Sequence, residues 1–279
     1  METPVSRQPF YALGHSEEEL QRLSRQGQAL GPFTRRLFEE AGIGRGMRVL
    51  DVGCGSGDVA FLAADLVGHS GKVVGVDRER RAVDWANARA TSQGITNVKF
   101  VEGDPAEMEF DQKFDAMVGR LVLMYYRDPV SALRKLSRHV RPKGLIVFQE
   151  MDMANARSLP LAPVFERSVT WVKQTLKATG ARTQLGLELY PVFVQAALPG
   201  PSMRIDAWIG GGPQCPAYEI LADVVKSLLP VMEKLNIANA MEVEISSLAQ
   251  RMRDEVVALK GVVVSVGFIG AWSRKQHSD

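Results

Sequence analysis

The chain has 279 residues, with 34 Lys or Arg against 32 Asp or Glu, so its formal net charge is only +2. With no dense Lys/Arg stripe, that balance disfavours a nucleic-acid substrate, because sequence-independent binding needs several phosphates neutralised. No apolar run reaches the ~20 residues of a membrane span, Met1 to Pro9 holds no signal-peptide core, and two cysteines, Cys54 and Cys215, make no metal-ligand pattern with the four histidines; the expectation is a cytoplasmic protein with no metal.

Ser16-Glu17-Glu18-Glu19 is a capping-box pattern that starts a helix running to Leu30. Gly31-Pro32 is expected to break it. Phe33 to Glu40 then reads as a second helix, with Phe33, Leu37 and Ala41 on one face. From Gly46 to Glu150 apolar runs alternate with amphipathic stretches, the mark of a parallel sheet with crossover helices. Helices are expected over 58–67, 80–93 and from Asp128-Pro129 to about Val140. Beyond Glu150 the pattern changes. Helices are expected over 165–179, 191–197, 218–229 (ended by Pro230) and 243–260, with strands over 203–209 and 261–272. The whole reads as an α/β fold with a core sheet of about seven strands. Helices inserted after the fifth strand and between the sixth and seventh form a cap. The expected division is 1–45 lid, 46–150 core, and 151–279 cap plus the last two core strands.

The chemistry concentrates at Val49-Leu50-Asp51-Val52-Gly53-Cys54-Gly55-Ser56-Gly57, followed by Val73-Val74-Gly75-Val76-Asp77. An apolar strand ends beside an acid, breaks into three alternating glycines and enters a helix; a second strand ends in another acid. This pattern suits a nucleoside lying across two strand ends. A dinucleotide loop would need a glycine where Asp58 stands, and a buried Asp51 would repel a pyrophosphate. S-adenosylmethionine (SAM) has no phosphate and carries a sulfonium and an ammonium, both attracted by carboxylate. The charge pattern favours SAM over NAD.

Val49 to Gly57 resembles motif I of the class I SAM-dependent methyltransferases, Val73 to Asp77 the second motif, and Gly103-Asp104 after Val98 to Val101 the third. Phe114 to Arg120 is similar to their fourth strand, and Leu133 to Phe148 to the following helix, turn and fifth strand. The likeness covers residues 46–150, nearest to small-molecule enzymes of the ubiquinone/menaquinone-biosynthesis type. It implies a Rossmann-like, seven-stranded, mostly parallel sheet flanked by helices, with an N-terminal helical lid and a C-terminal cap around strands five to seven.

The resemblance also implies roles. Gly53, Cys54, Gly55 and Gly57 let the backbone approach the methionine and ribose. Asp51 would sit near the methionyl ammonium and Asp77 at the ribose hydroxyls, with Arg78 beside the adenine edge. Asp104, flanked by Gly103 and Pro105, would take the adenine amine. Arg120 would offer its carbonyl to the methionyl amine, while its side chain would pair with Asp51 or the cofactor carboxylate, or make a structural ion pair. On the lid, the catalytic candidate Tyr11 would pack near the methyl donor and Gln26 would reach the methionyl carboxylate, unless this helix only covers the sheet. His15, Tyr125, Tyr126, Glu150 and Asp152 are the acid–base candidates, since methyl transfer to a hydroxyl requires a proton acceptor. Phe165, Trp171, Phe193, Met203 and Trp208 form either an aromatic pocket or cap core. The expected activity is methyl transfer to a small apolar or aromatic metabolite. A SAM-binding fold with another reaction, or a protein or RNA methyltransferase, stays open beside it. The oligomeric state is not encoded in any of these features.

Overall fold

The computed structural model describes residues 17–276. Tyr11, His15, His277 and the capping serine Ser16 lie outside the described residues. In chain order the elements are α1 (Glu17–Ala41), β1 (Arg48–Val52), α2 (Asp58–Val67), β2 (Lys72–Asp77), α3 (Arg80–Ser92), β3 (Val98–Glu102), β4 (Phe114–Arg120), α4 (Pro129–Leu136) and β5 (Val140–Asp152). They continue with β6 (Arg157–Leu159), α5 (Pro163–Ala178), α6 (Leu185–Gln195), β7 (Ser202–Asp206), β8 (Ile209–Gly210), α7 (Ala217–Lys234), α8 (Ala240–Val243), α9 (Leu248–Ala258), β9 (Val262–Val264) and β10 (Gly267–Arg274).

Seven strands form the main sheet in the order β3-β2-β1-β4-β5-β10-β7. The first five are parallel, and β10 runs antiparallel to both β5 and β7. The expected α/β architecture is therefore present. Both faces of the sheet are covered, so its inner strands are apolar at nearly every position. Val49, Ala116, Val118, Leu145 and Val147 pack toward α1, α2 and α3. Their neighbours Leu50, Met117, Ile146 and Phe148 point the other way and join one continuous core with the cap helices.

The departures from the sequence reading share one cause, burial overriding local signals. Gly31-Pro32 does not end the first helix; α1 runs through it. Pro191 lies inside α6, which begins at Leu185 rather than 191, and Pro230 lies inside α7, which continues to Lys234. All three prolines are on exposed surface, where the carbonyl each leaves without its helical N–H can be hydrated. Buried side chains on the opposite face, such as Leu30, Phe33 and Leu37 in α1, carry the helix across. The expected helix over 243–260 is divided instead. Glu244 adopts a left-handed conformation (φ 47°) after α8. In one straight helix Val243 and Leu248 would lie about 140° apart, and the break lets both be fully buried.

The expected strands over 203–209 and 261–272 are each split as well. Both leave the main sheet at the same place and enter a second, three-stranded sheet, ordered β6-β9-β8. The two crossings are bonded side by side, with the Ser265 amide donating to the Trp208 carbonyl at 2.9 Å and the Trp208 amide to Ser265 Oγ at 3.0 Å. Ser265 Oγ in turn donates to the Val266 carbonyl.

Because Pro32 interrupts the ladder of a solvent-facing turn, Pro32→Ala is expected to stabilise the protein by about 2 kcal/mol. That is the helix penalty of proline less the entropy it removes from the unfolded chain. Urea unfolding of the two proteins measures it, and an unchanged midpoint would show that the turn is not under this constraint.

Candidate cofactor and acceptor cavity

The strand order reverses between β1 and β4, and their C-terminal ends open there into a cavity of about 570 Å³. One half is lined by Gly53, Cys54, Gly55, Ser56, Asp58, Asp77, Arg78, Pro105 and Arg120, the other by apolar side chains of the cap. Gln26 of α1 closes part of the rim, and Tyr125 and Tyr126 stand on the wall between the halves. Of the expected site residues within the described region, these lie on the cavity. Asp51, Gly57, Gly103, Asp104 and Glu150 lie behind its wall.

The loop after β1 is held from several sides. Asp77 Oδ2 accepts from the Gly55 amide at 2.8 Å and Oδ1 from the Glu79 amide at 3.0 Å, so this carboxylate shapes the loop as well as facing the cavity. Gly53 has φ 65°, and a Cβ there would lie 2.5 Å from Val122; only glycine fits both the conformation and the contact. Arg89 donates to the Ser56 carbonyl at 2.5 Å and to Asp58 at 3.0 Å, bracing the start of α2. The lid helix reaches the same point: a Cβ on Gly27 would lie 2.4 Å from Asp58 Cγ. Arg89 and Gly27 escaped the sequence reading because neither belongs to a local motif.

Asp51 is buried beneath this loop with no side-chain hydrogen-bond partner, and only the Ala60 backbone amide approaches its carboxyl group. Burial pushes its pKa well above the ordinary carboxylate value, against the lowering charge of Arg120. The Arg120 side chain does not pair with it. Arg120 Nη1 donates to Thr34 Oγ1 at 3.0 Å, and that hydroxyl donates to Gln149 Oε1 at 2.8 Å. Burial holds the guanidinium pKa below its usual value, with the charges of Asp58 and Asp51 opposing. A buried carboxyl group and a cation facing the cavity thus lie near one another without forming an ion pair.

The residues expected at the adenine also bond to one another. Arg78 forms an ion pair with Asp104 at 2.6 Å, and its guanidinium lies 5.3 Å from the Tyr126 ring centre. Asp104 also accepts from the Ala106 amide at 2.9 Å. Its carboxylate is a strut of the loop, and Pro105 is the residue that reaches the cavity. His139 donates from Nε2 to the Pro105 carbonyl at 2.8 Å, and burial lowers its pKa.

Glu150 is fully buried rather than at the methyl-facing surface. Its Oε1 accepts from the amides of Val122 at 3.0 Å and Leu123 at 2.7 Å, while Oε2 has no partner. It anchors the turn that follows β4 and carries Val122 and Tyr125 to the wall. Asp152 is also buried, and accepts from the Ala154 amide and from the Asn155 side chain. Tyr126 faces the cavity with its hydroxyl pKa pushed up to about 12 by burial.

In the apolar half, Phe165, Val169, Val172 and Leu176 of α5 face Ala217, Leu221, Val224 and Leu228 of α7. Each set follows the spacing of a single helix face. Phe165 and Trp208 line the cavity, whereas Trp171 and Phe193 are core and Met203 is on an exposed edge strand. Among the described residues, no group of three or more His, Cys, Asp or Glu could hold a metal ion, and no helix is long and apolar enough to cross a membrane.

Burial pushes the Glu150 pKa up to about 8 from 4.5. Between those values the folded protein keeps a proton that the unfolded chain releases. Glu150 therefore favours folding most below pH 4.5, and that stabilisation is lost by about 1.4 kcal/mol per pH unit as pH rises toward 8. Glu150→Gln keeps the acceptor oxygen and is expected to flatten this dependence. Unfolding free energies at pH 5, 6.5 and 8 test it; equal slopes in both proteins would refute the assignment.

A family model described as a methyltransferase domain matches residues 43–196, more than half of the chain. Demethylmenaquinone methyltransferase of Staphylococcus aureus is 32% identical over 136 residues, which is 48% of this chain and 53% of that protein. The chain thus spans about half the length of the curated relatives it matches. Among solved structures, the [4+2]-cyclase SpnF superposes with a TM-score of 0.53 at 18% identity, covering 90% of this chain and 82% of that one. Phosphoethanolamine N-methyltransferase 2 of Haemonchus contortus, solved with phosphomonomethylethanolamine and S-adenosylhomocysteine, gives 0.54 at 15% identity, covering 88% and 53%. These two likenesses establish the fold alone. Glycine loop, strand order and family match agree, and the chain belongs to the methyltransferase-domain family of class I, SAM-dependent proteins.

Proposed function

We propose that this protein transfers a methyl group from SAM to a small, largely apolar acceptor. The observation that carries the reading is one cavity joining the glycine loop and Asp77 to the apolar faces of α5 and α7. The fit to SAM rests on the buried Asp51 carboxyl group, without a side-chain partner, beneath that loop and on the absence of a phosphate-compatible third glycine. The S. aureus relative's name points to a quinone-type acceptor, which suits the same apolar half.

When bound, SAM supplies a methyl group on a sulfonium. The chain's own residues bind and orient. The 53–57 backbone borders the methionine and ribose, and Asp77 has lone pairs left for the ribose hydroxyls. Asp51 attracts the methionyl ammonium, and Arg120, fixed by Thr34, takes the carboxylate. Arg78, Pro105 and Tyr126 bound the adenine. Residues 17–45 act as a lid, 46–150 as the cofactor core, and 151–276 as the cap with the last two core strands. The cap excludes water and aligns the acceptor for in-line displacement. Tyr125 is the polar side chain best placed on the acceptor wall to accept or relay a proton. Glu150 acts through the turn it holds.

The fold also occurs in a cyclase, so formation of S-adenosylhomocysteine with a methylated product is the deciding assay. Extracts of small apolar metabolites serve as acceptors, and turnover on protein or RNA instead would overturn the acceptor class. The electrostatics give a second test. Burial pushes the Asp51 pKa well above the ordinary carboxylate value, and an ammonium bound beside it would draw it down again. Binding of S-adenosylhomocysteine is therefore expected to be accompanied by proton release from Asp51, read as a calorimetric enthalpy that varies with buffer ionisation enthalpy. Asp51→Asn should abolish that variation and weaken binding at least tenfold; buffer-independent wild-type binding would refute the role.

A further inference from the structure

The three-stranded sheet β6-β9-β8 has two unlike faces. Register places Arg157 opposite Val264, Leu159 opposite Val262, and Ile209 opposite Val264, so these five residues share one face. Ser158 and Val263 alternate to the other face and are buried. The outer face is open: Leu159 is 76% exposed, Ile209 72% and Val262 40%. Leu161, Val257 and Leu259, on the flanking chain, are exposed as well. Isolated exposed apolar residues need no explanation, but a contiguous set on one sheet face does.

The charge in the strands and turns of this sheet is one-sided. The stretches 156–163, 207–213 and 257–264 contain two cations, Arg157 and Lys260, and not one Asp or Glu, in a chain with 32 acids. The residues that flank its strands, Ala156, Trp208 and Ser265, are on the cavity wall.

We propose that this face docks the protein on an anionic lipid surface. Apolar side chains of this kind insert at the headgroup boundary while nearby cations meet lipid phosphates. A second copy of the chain fits less well. A two-fold contact would oppose the face to itself, bringing Arg157 toward its own copy with no acid on the paired strands to meet it. Docking here sets a sheet whose flanking residues reach the cavity wall against the phase in which an apolar acceptor concentrates. The surface is independent of the reaction chemistry, and its test needs no acceptor.

The experiment is co-sedimentation of the full chain with phosphatidylcholine vesicles, with and without phosphatidylglycerol. Binding is expected with the anionic vesicles, falling as salt is raised. Arg157→Gln and Lys260→Gln should each weaken it by about fivefold, and Leu159→Ser with Ile209→Ser by at least about tenfold. None of these four side chains lines the cavity. S-adenosylhomocysteine affinity and unfolding midpoint should therefore stay at wild-type values, which separates failure of docking from failure of the fold or of the cofactor reading. Equal binding to neutral vesicles, no binding to either, or wild-type binding by the variants would overturn the proposal. So would a solution dimer, seen by light scattering, that Ile209→Ser dissociates, since the face would then be an interface between copies.

Discussion

Everything at the site depends on β1 being paired on one side with β2 and on the other with β4. That register sets the ends of three strands side by side where the chain reverses direction across the sheet. The loop after β1 then has nowhere to go but over its own strand end, between Asp77 and the turn after β4. Parallel strands in this order require crossovers on both faces, and those crossovers bury the sheet completely. The cavity is the gap that this arrangement leaves at the switch point.

Around that gap the chain uses contacts that work only in combination. Val122 sits on Gly53, Glu150 holds Val122 and Leu123 by their amides, and the lid helix approaches Asp58 across Gly27. Arg120 is fixed to the lid through Thr34 and to β5 through Gln149. Lid, loop, turn and fifth strand are therefore mechanically linked, and a ligand that orders one of them bears on the others. Within this linked set Asp51 remains without an ion-pair partner. A buried carboxyl group with no charged partner is costly to ionise, and its position directly under the glycine loop favours a cationic group in the ligand.

The cap solves a different problem. Helices α5 and α7 cover the apolar side of the cavity, and the strands on either side of α7, α8 and α9 each leave the main sheet to build a second one. The crossing at Trp208 and Ser265 ties the cap to the cavity wall. It also carries the outer, acid-free sheet face away from the cofactor half.

The sequence by itself determined the core: the glycine loop, both acids, the alternation of strands and helices, and hence the α/β class. These are local signals, a turn needing glycine or an apolar run of strand length, and they survive because the sheet buries them as written. Proline was a poor guide for the same physical reason in reverse. At 32, 191 and 230 its cost is met by water on an exposed face while long-range packing holds the helix. Glu150 read as a base from its place at a strand end, but only tertiary structure decides that its partners are the amides of residues 122 and 123. Asp104 reads as an adenine ligand from its motif, and only the tertiary structure shows that it also pairs with Arg78. The second sheet was invisible because its strands are only two or three residues long and pair across more than fifty residues of sequence, so no periodicity encodes them. What the tertiary structure alone decided is which side chains share a wall, because that depends on contacts between segments and not on the order of residues within any one of them.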